Sequence, residues 1–390
     1  MKLTILIFVV LLTETALTFG TKEAKPYLLT GIKQRRNAAE LKAYHQQRRL
    51  EAAAAHKLYF PAYPDEPPIA NIRIGKSEQS FNVSIETSIN NIFVLDVSYT
   101  THANDVATFN PHDPSSSATP AGWYNSFSDK FGADGGAYLD TVTFLHPMDL
   151  RLGVINQTFD SQGRFTSYYF TVSGVLGLAW DPDEKDKPVT QYFDPIINLF
   201  AKMPNLPRYF VQAVGQKKND DRFGWWSIMF GGELTDHCAG NILTSATVFF
   251  NNYRIFSFNL DVFGFGTATA EGYSTNVDMG LPVLFLSVDA LSLVHDAIQP
   301  DYDYDLDLYT TPCNNAGKFD DLVFTVGGVD LRVSSKHYIL DLGLGTGQCV
   351  LAINTYNKFT AVYVLGLPFL NNYCVKFSID NTSISFQNVR

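Results

Sequence analysis

Two short acid-bearing turns, Glu86-Thr87-Ser88 and Asp278-Met279-Gly280, lie 192 residues apart. Each is followed much later by two apolar residues and a glycine: Val175-Leu176-Gly177 in the first half and Val364-Leu365-Gly366 in the second. The interval is 91 residues from Glu86 to Gly177 and 88 from Asp278 to Gly366, so one unit occurs twice. If the two copies face each other, Glu86 and Asp278 become neighbouring carboxyl groups in one cleft. In that arrangement two acids share a proton and activate water.

The elements that position such a pair follow from length and pattern. With 390 residues the chain exceeds the size at which one core stops growing, and two lobes of roughly 150 residues each are expected. A hydrophobic content of 46% and an aromatic content of 14% belong to a folded body rather than a disordered one. Beyond Ile69, short runs of Val, Ile, Phe and Tyr alternate with Gly, Asn, Asp and Pro, which predicts strands. Helical spacing is confined to Tyr192–Ala201 and Ser287–Ile298, so an all-β bilobal body with two or three short helices is expected.

The N-terminal region has a different character. Lys2 precedes an apolar run from Leu3 to Leu12 and small or polar residues to Gly20, which reads as a secretory signal over residues 1–20. Residues 21–60 hold nine Lys or Arg against three Glu, which leaves a net −16 on residues 61–390 of a chain whose total is −10. The stretch Thr30–His56 has the composition of a helix. It reads as a removable basic prosegment lying over an acidic body, with Tyr59–Pro68 as the passage into the mature domain. An acidic body repels nucleic acid and suits a mildly acidic medium.

Four cysteines in an exported chain pair up. Of three connectivities, the favoured one joins Cys313 with Cys349 and Cys238 with Cys374. Asn82, Asn156 and Asn381 each begin a glycosylation sequon. No metal or cofactor is expected: CxxC and HExxH spacings are absent, and the acidic run Asp301–Asp307 lacks the glycine and distal glutamate of a calcium loop. Gly343–Gly347 reads as a turn before Cys349, and Trp225-Trp226 as strand residues before Phe230. A Gly-x-Ser-x-Gly elbow is also missing, which argues against serine-hydrolase chemistry.

Around the first acid the chain reads Phe-Asn-Val-Ser-Ile-Glu-Thr-Ser-Ile, and around the second Asn-Val-Asp-Met-Gly-Leu-Pro. From about residue 68 to 390 it resembles the pepsin-like aspartic peptidases (peptidase A1), whose lobes each present an Asp-Thr-Gly turn and a later apolar-apolar-Gly support loop. Other landmarks occur in order: Phe127–Val142 is similar to the flap hairpin, Val172–Trp180 to the first support loop, and Phe230-Gly-Gly-Glu233 to the end of the first lobe. Cys313–Val326 and Leu365–Tyr373 complete the second lobe. The resemblance implies an N-terminal lobe over about 68–245 and a C-terminal lobe over about 246–390. It further implies catalytic positions at Glu86 and Asp278 with support from Thr87 and Gly280, Phe131 at the place of the flap tyrosine, and a peptide or protein ligand across the cleft of a monomer.

Several positions depart from the family pattern. Glu86 is one methylene longer than Asp, and an ångström of misplacement costs about a hundredfold in rate. Met279 replaces the second threonine of a clasp across the lobes, Ser88 replaces a glycine, and Ile89, Leu281 and Pro282 replace hydroxyl residues. Phe131 lacks the flap hydroxyl, and Leu367 replaces an aspartate. A binding protein that keeps the cleft without the hydrolysis is the leading expectation, and an acid endopeptidase using Glu86 and Asp278 is the rival. Its destination is extracellular or an acidic, lysosome-like compartment.

Overall fold

The computed structural model describes residues 26–34, 37, 39, 42–43, 68–99, 106–127, 132–159, 165–166, 172–181, 194–217, 220–250, 256–304, 306, 308–344, 346–355 and 362–390. The signal segment, most of residues 21–60, and Phe131 lie outside them.

The fold is all-β and bilobal, with strands set by simple alternation. In Ile69–Ile74, Ala70, Ile72 and Ile74 point into the core while Asn71 and Arg73 face solvent, the period of two that a half-buried strand requires. Eight strands drawn from Ile69–Gly177 form one sheet, which folds back on itself where Gly132–Phe144 pairs with His146–Phe159. Residues Phe249–Leu365 supply a six-stranded sheet and two four-stranded ones. A third layer joins the halves. Its six strands run in the order Tyr27–Gln34, Asp220–Phe230, Tyr209–Lys217, Tyr373–Ser378, Ser383–Val389 and Cys238–Thr247.

The duplication read from spacing is present in the pairing. Gln79–Glu86 runs parallel to Gly174–Gly177, which pairs antiparallel with Ile92–Leu95. In the second half Ser274–Val277 runs parallel to Val362–Leu365, which pairs antiparallel with Leu284–Phe285. The registers correspond: Ile85 lies opposite Leu176 and Val277 opposite Leu365. Both disulfides join the favoured partners, Cys238 to Cys374 and Cys313 to Cys349, with Cα separations of 5.9 and 4.9 Å. The first links two strands of the joining layer, Cys238–Thr247 and Tyr373–Ser378.

Three expectations need correction. Residues 30–34 are not helical but belong to the strand Tyr27–Gln34, which pairs along Asp220–Phe230; only Ala39, Lys42 and Ala43 of the predicted stretch are described as helix. Tertiary pairing overrides a weak local propensity here. Leu29 is buried in the main core, and Gly31 leaves room for Trp226, whose ring would lie 2.4 Å from any Cβ at that position. The first predicted helix is described over Pro195–Lys202, with Asp194 extended at its N-cap position and no side-chain cap bond; proline suits the first helical position, and Tyr192 lies outside the described residues. Among the described residues from 68 onward there are four short helices, not two or three: Pro195–Lys202, Val288–Ile298, Ser335–Tyr338 and Leu367–Leu370. The last two are single turns with no amphipathic period to reveal them. Ser287 caps the second helix as its position suggests, accepting from the Ala290 N–H at 3.3 Å.

A buried tyrosine, Tyr363, pins the second support strand, and a half-buried one, Tyr209, lies in the joining layer. Tyr363 donates to the Glu271 carbonyl at 2.9 Å and lies 3.0 Å from Ser287 Oγ. Burial pushes its phenol up to about 12, and burial followed by Glu233 does the same for Tyr209. A phenol of the unfolded chain ionises near 10. The raised folded values therefore add stability that is complete below about pH 10 and lost between about pH 10 and 12. Absorbance titration at 295 nm should show a late tyrosine class that coincides with loss of the near-ultraviolet dichroism; complete ionisation near pH 10 with the fold intact would contradict it.

Candidate active site

Both acids end parallel strands at matching points of the two lobes. Glu86 closes Gln79–Glu86 opposite Gly177, and Asp278 follows Val277 by one residue beside the Gly366 loop. The two glycines do the same work. A Cβ at Gly177 would meet the carbonyl oxygens of Ile89 and Asn91, each at 2.5 Å, and one at Gly366 those of Val283 and Leu281 at 2.2 and 2.3 Å. Each acid-bearing loop thus crosses its support glycine at backbone contact, which only a missing side chain permits. Leu178 N–H donates to the Glu86 carbonyl at 2.8 Å, and Leu367 N–H to the Leu281 carbonyl at 2.8 Å.

The turns meet. Glu86 is 1% exposed and Asp278 0%, and both flank Gly280, where an added Cβ would sit 3.0 Å from Glu86 Cγ and 3.2 Å from Asp278 Oδ1. Asp278 Oδ1 accepts from Gly280 N–H at 2.9 Å and from Thr87 N–H at 3.2 Å across the interface. Thr87 Oγ1 donates to the Val277 carbonyl at 2.8 Å and accepts from Met279 N–H at 3.3 Å. The pattern predicted from sequence residues is therefore brought together for Glu86, Thr87, Asp278 and Gly280.

The clasp is one-sided. Thr87 reaches across with its hydroxyl, but its counterpart Met279 is 0% exposed and packs into the main core. Ser88 Oγ and Asp278 Oδ2 are buried without a hydrogen-bond partner among the described residues. The positions three residues after each acid are apolar anchors. Ile89 packs with Phe93, Tyr124 and Val175, while Leu281 packs with Val283, Leu306 and Val364.

One positioning residue has no sequence signal. Tyr124, buried in the strand Thr119–Phe127, donates to Asn91 Oδ1 at 2.8 Å and anchors that hairpin beside the first turn. An aromatic within a strand reads as core, and only the fold shows which loop it reaches. The sequon asparagines Asn82, Asn156 and Asn381 are exposed. Trp226 is buried, whereas Trp225 is half-buried and stacks on His237 at 4.0 Å. Cys313, Cys349 and Asp341 cluster closely enough to suggest a metal, but the two sulfurs are bonded to each other. No helix among the described residues is long and apolar enough to cross a membrane.

Residues 69–389 match the family model described as eukaryotic aspartyl protease. Aspartic protease 1 of Caenorhabditis elegans is 28% identical over 341 residues, 84% of this chain and 83% of that protein. Aspartic protease 17 of the same organism is 26% identical over 347 residues, 84% of each chain. Pepsin-3 of Oryctolagus cuniculus is 25% identical over 332 residues, 83% of this chain and 81% of the relative. With paired acid turns, support glycines and a joining sheet all in their places, the chain belongs to the eukaryotic aspartyl protease family.

Proposed function

We propose that this chain is an exported member of its family that holds peptide or protein segments across the cleft between its lobes and has lost most or all of its hydrolytic activity. The observation that carries the reading is Met279, fully buried at the place of the second clasp hydroxyl, reinforced by the apolar clusters headed by Ile89 and Leu281. Export is supported by the N-terminal signal pattern and by two disulfides, which persist in oxidising compartments. The acidic body fits an acidic vesicle or the extracellular space.

The second reading, an acid endopeptidase working through Glu86 and Asp278, draws on the two donors that still hold Asp278 Oδ1. Purified, acid-treated protein is incubated with unfolded globin at about pH 3–5, with and without a transition-state-mimicking aspartic-protease inhibitor. The binding reading expects no inhibitor-sensitive fragments. Cleavage that the inhibitor blocks and Asp278→Asn abolishes would establish the enzyme instead.

A further inference from the structure

The strand Tyr27–Gln34 belongs to the stretch whose composition reads as removable, yet it is built into the body. It pairs with Asp220–Phe230 over its whole length, from Tyr27 opposite Phe230 to Gln34 opposite Phe223. Its alternate residues serve two clusters, as the period of a strand requires. Leu29 is buried in the main core, where Tyr27 also packs, while Leu28 packs on the other face against the cluster around Cys238 and Cys374. Gly31 lies against the indole of Trp226, which is 2% exposed. Pro26 abuts Gly232, where an added Cβ would meet it at 2.6 Å.

If this strand left, Asp220–Phe230 would become a sheet edge with unpaired backbone groups and an uncovered tryptophan. Another segment could take its place only by meeting two demands: N–H groups on the partner side, and a glycine against Trp226. The chain leading into Ile69–Ile74 meets neither. Tyr59–Pro68 has prolines at 61, 64, 67 and 68, two at odd and two at even positions, so in either register two of the four face the ladder without a donor. Glycine does not occur from Ile32 to Ile74, and any other residue opposite Trp226 would bring a Cβ to 2.4 Å from a ring that the core holds in place. Farther along the basic stretch, Lys42 Nζ meets Asp303 Oδ2 at 3.6 Å with both side chains partly exposed, a pair that salt screens.

We propose that Tyr27–Gln34 is a permanent strand of the protein, so that a cut in the tract from 44 to 67 leaves a two-chain molecule with the N-terminal fragment bound along Asp220–Phe230. The basic segment then divides in two: a retained strand, and a tract that is open to processing. No cysteine precedes Cys238, so the union of the two chains is noncovalent. The inference stands apart from whether the acid pair cuts peptide bonds.

The test replaces Glu51–Ala55 of the full chain with the recognition sequence of a site-specific protease, cuts the chain there, and passes the product over a size-exclusion column at neutral pH and at about pH 4. The two fragments should co-elute under both conditions, as intact-mass analysis of the peak reads, and part only in guanidinium. Recovery of a folded, monomeric C-terminal fragment without the N-terminal one would overturn the proposal. Gly31→Ala supplies a second measurement, since it presses on Trp226 at a distance from the acid pair. It should lower the melting temperature of the uncut chain by about 5 °C and cause the N-terminal fragment to be lost after the cut. An unchanged melting temperature with full retention would mean that the contact of Gly31 with Trp226 does not hold the strand, and overturns the proposal as well.

Discussion

Gly366→Ala is expected to lower the melting temperature by roughly 10 °C. The added Cβ would stand 2.2 Å from the Val283 carbonyl oxygen and 2.3 Å from that of Leu281. Both contacts are backbone in a loop clamped by Leu367 N–H to the Leu281 carbonyl, so no flexible side chain can swing away. A collision of this kind belongs to the rare class that costs about 4 kcal/mol or more. Gly177→Ala should behave alike, since its Cβ would meet the carbonyl oxygens of Ile89 and Asn91 at 2.5 Å. Gly240→Ala is the control: nothing lies within 4 Å of its Cβ, and a change within about 0.5 kcal/mol is expected. Thermal unfolding followed by circular dichroism measures all three. Equal melting temperatures for Gly366→Ala and Gly240→Ala would show that the acid loop does not press on its support glycine.

The second large effect is a gain. Returning Glu86→Asp, Ser88→Gly, Ile89→Ser and Met279→Thr together should raise acid proteolysis at least about a hundredfold over the native chain. Shortening residue 86 draws its carboxyl back toward its strand, and a hydroxyl at 279 supplies the missing half of the clasp opposite Thr87. The same changes weaken the fold. Met279 and Ile89 are both buried in apolar clusters, and trading large apolar side chains for small ones costs about 2–5 kcal/mol at such sites. The restored chain should therefore unfold at lower urea while cutting faster. A rise in activity without loss of stability would mean that these side chains do not anchor the clusters described above.

The acid pair was legible because chemistry and spacing coincide: two carboxylates, each with its glycine about ninety residues on, mark a repeat whose two halves must pack alike. The hydrophobic alternation of Ile69–Ile74 and the cap at Ser287 were readable for equally local reasons. Tyr27–Gln34 was not, because alanines, leucines and basic residues around it favour a helix. What makes it a strand is a partner nearly two hundred residues away and a glycine shaped to Trp226. Tyr124 was hidden for a related reason. A tyrosine in a strand carries no local sign of the loop it will face. Departures at Met279 and Ile89 could be read as lost hydroxyls, but only packing shows that hydrocarbon clusters have formed on them.

The most direct measurement compares the native chain with the fourfold restored variant on unfolded globin at about pH 4, both acid-treated, both shown to be folded by circular dichroism, each with and without a transition-state-mimicking inhibitor. The proposed binding role predicts fragments from the restored chain alone, suppressed by the inhibitor. Inhibitor-sensitive cleavage by the native chain at a rate within a few-fold of the restored one would contradict it.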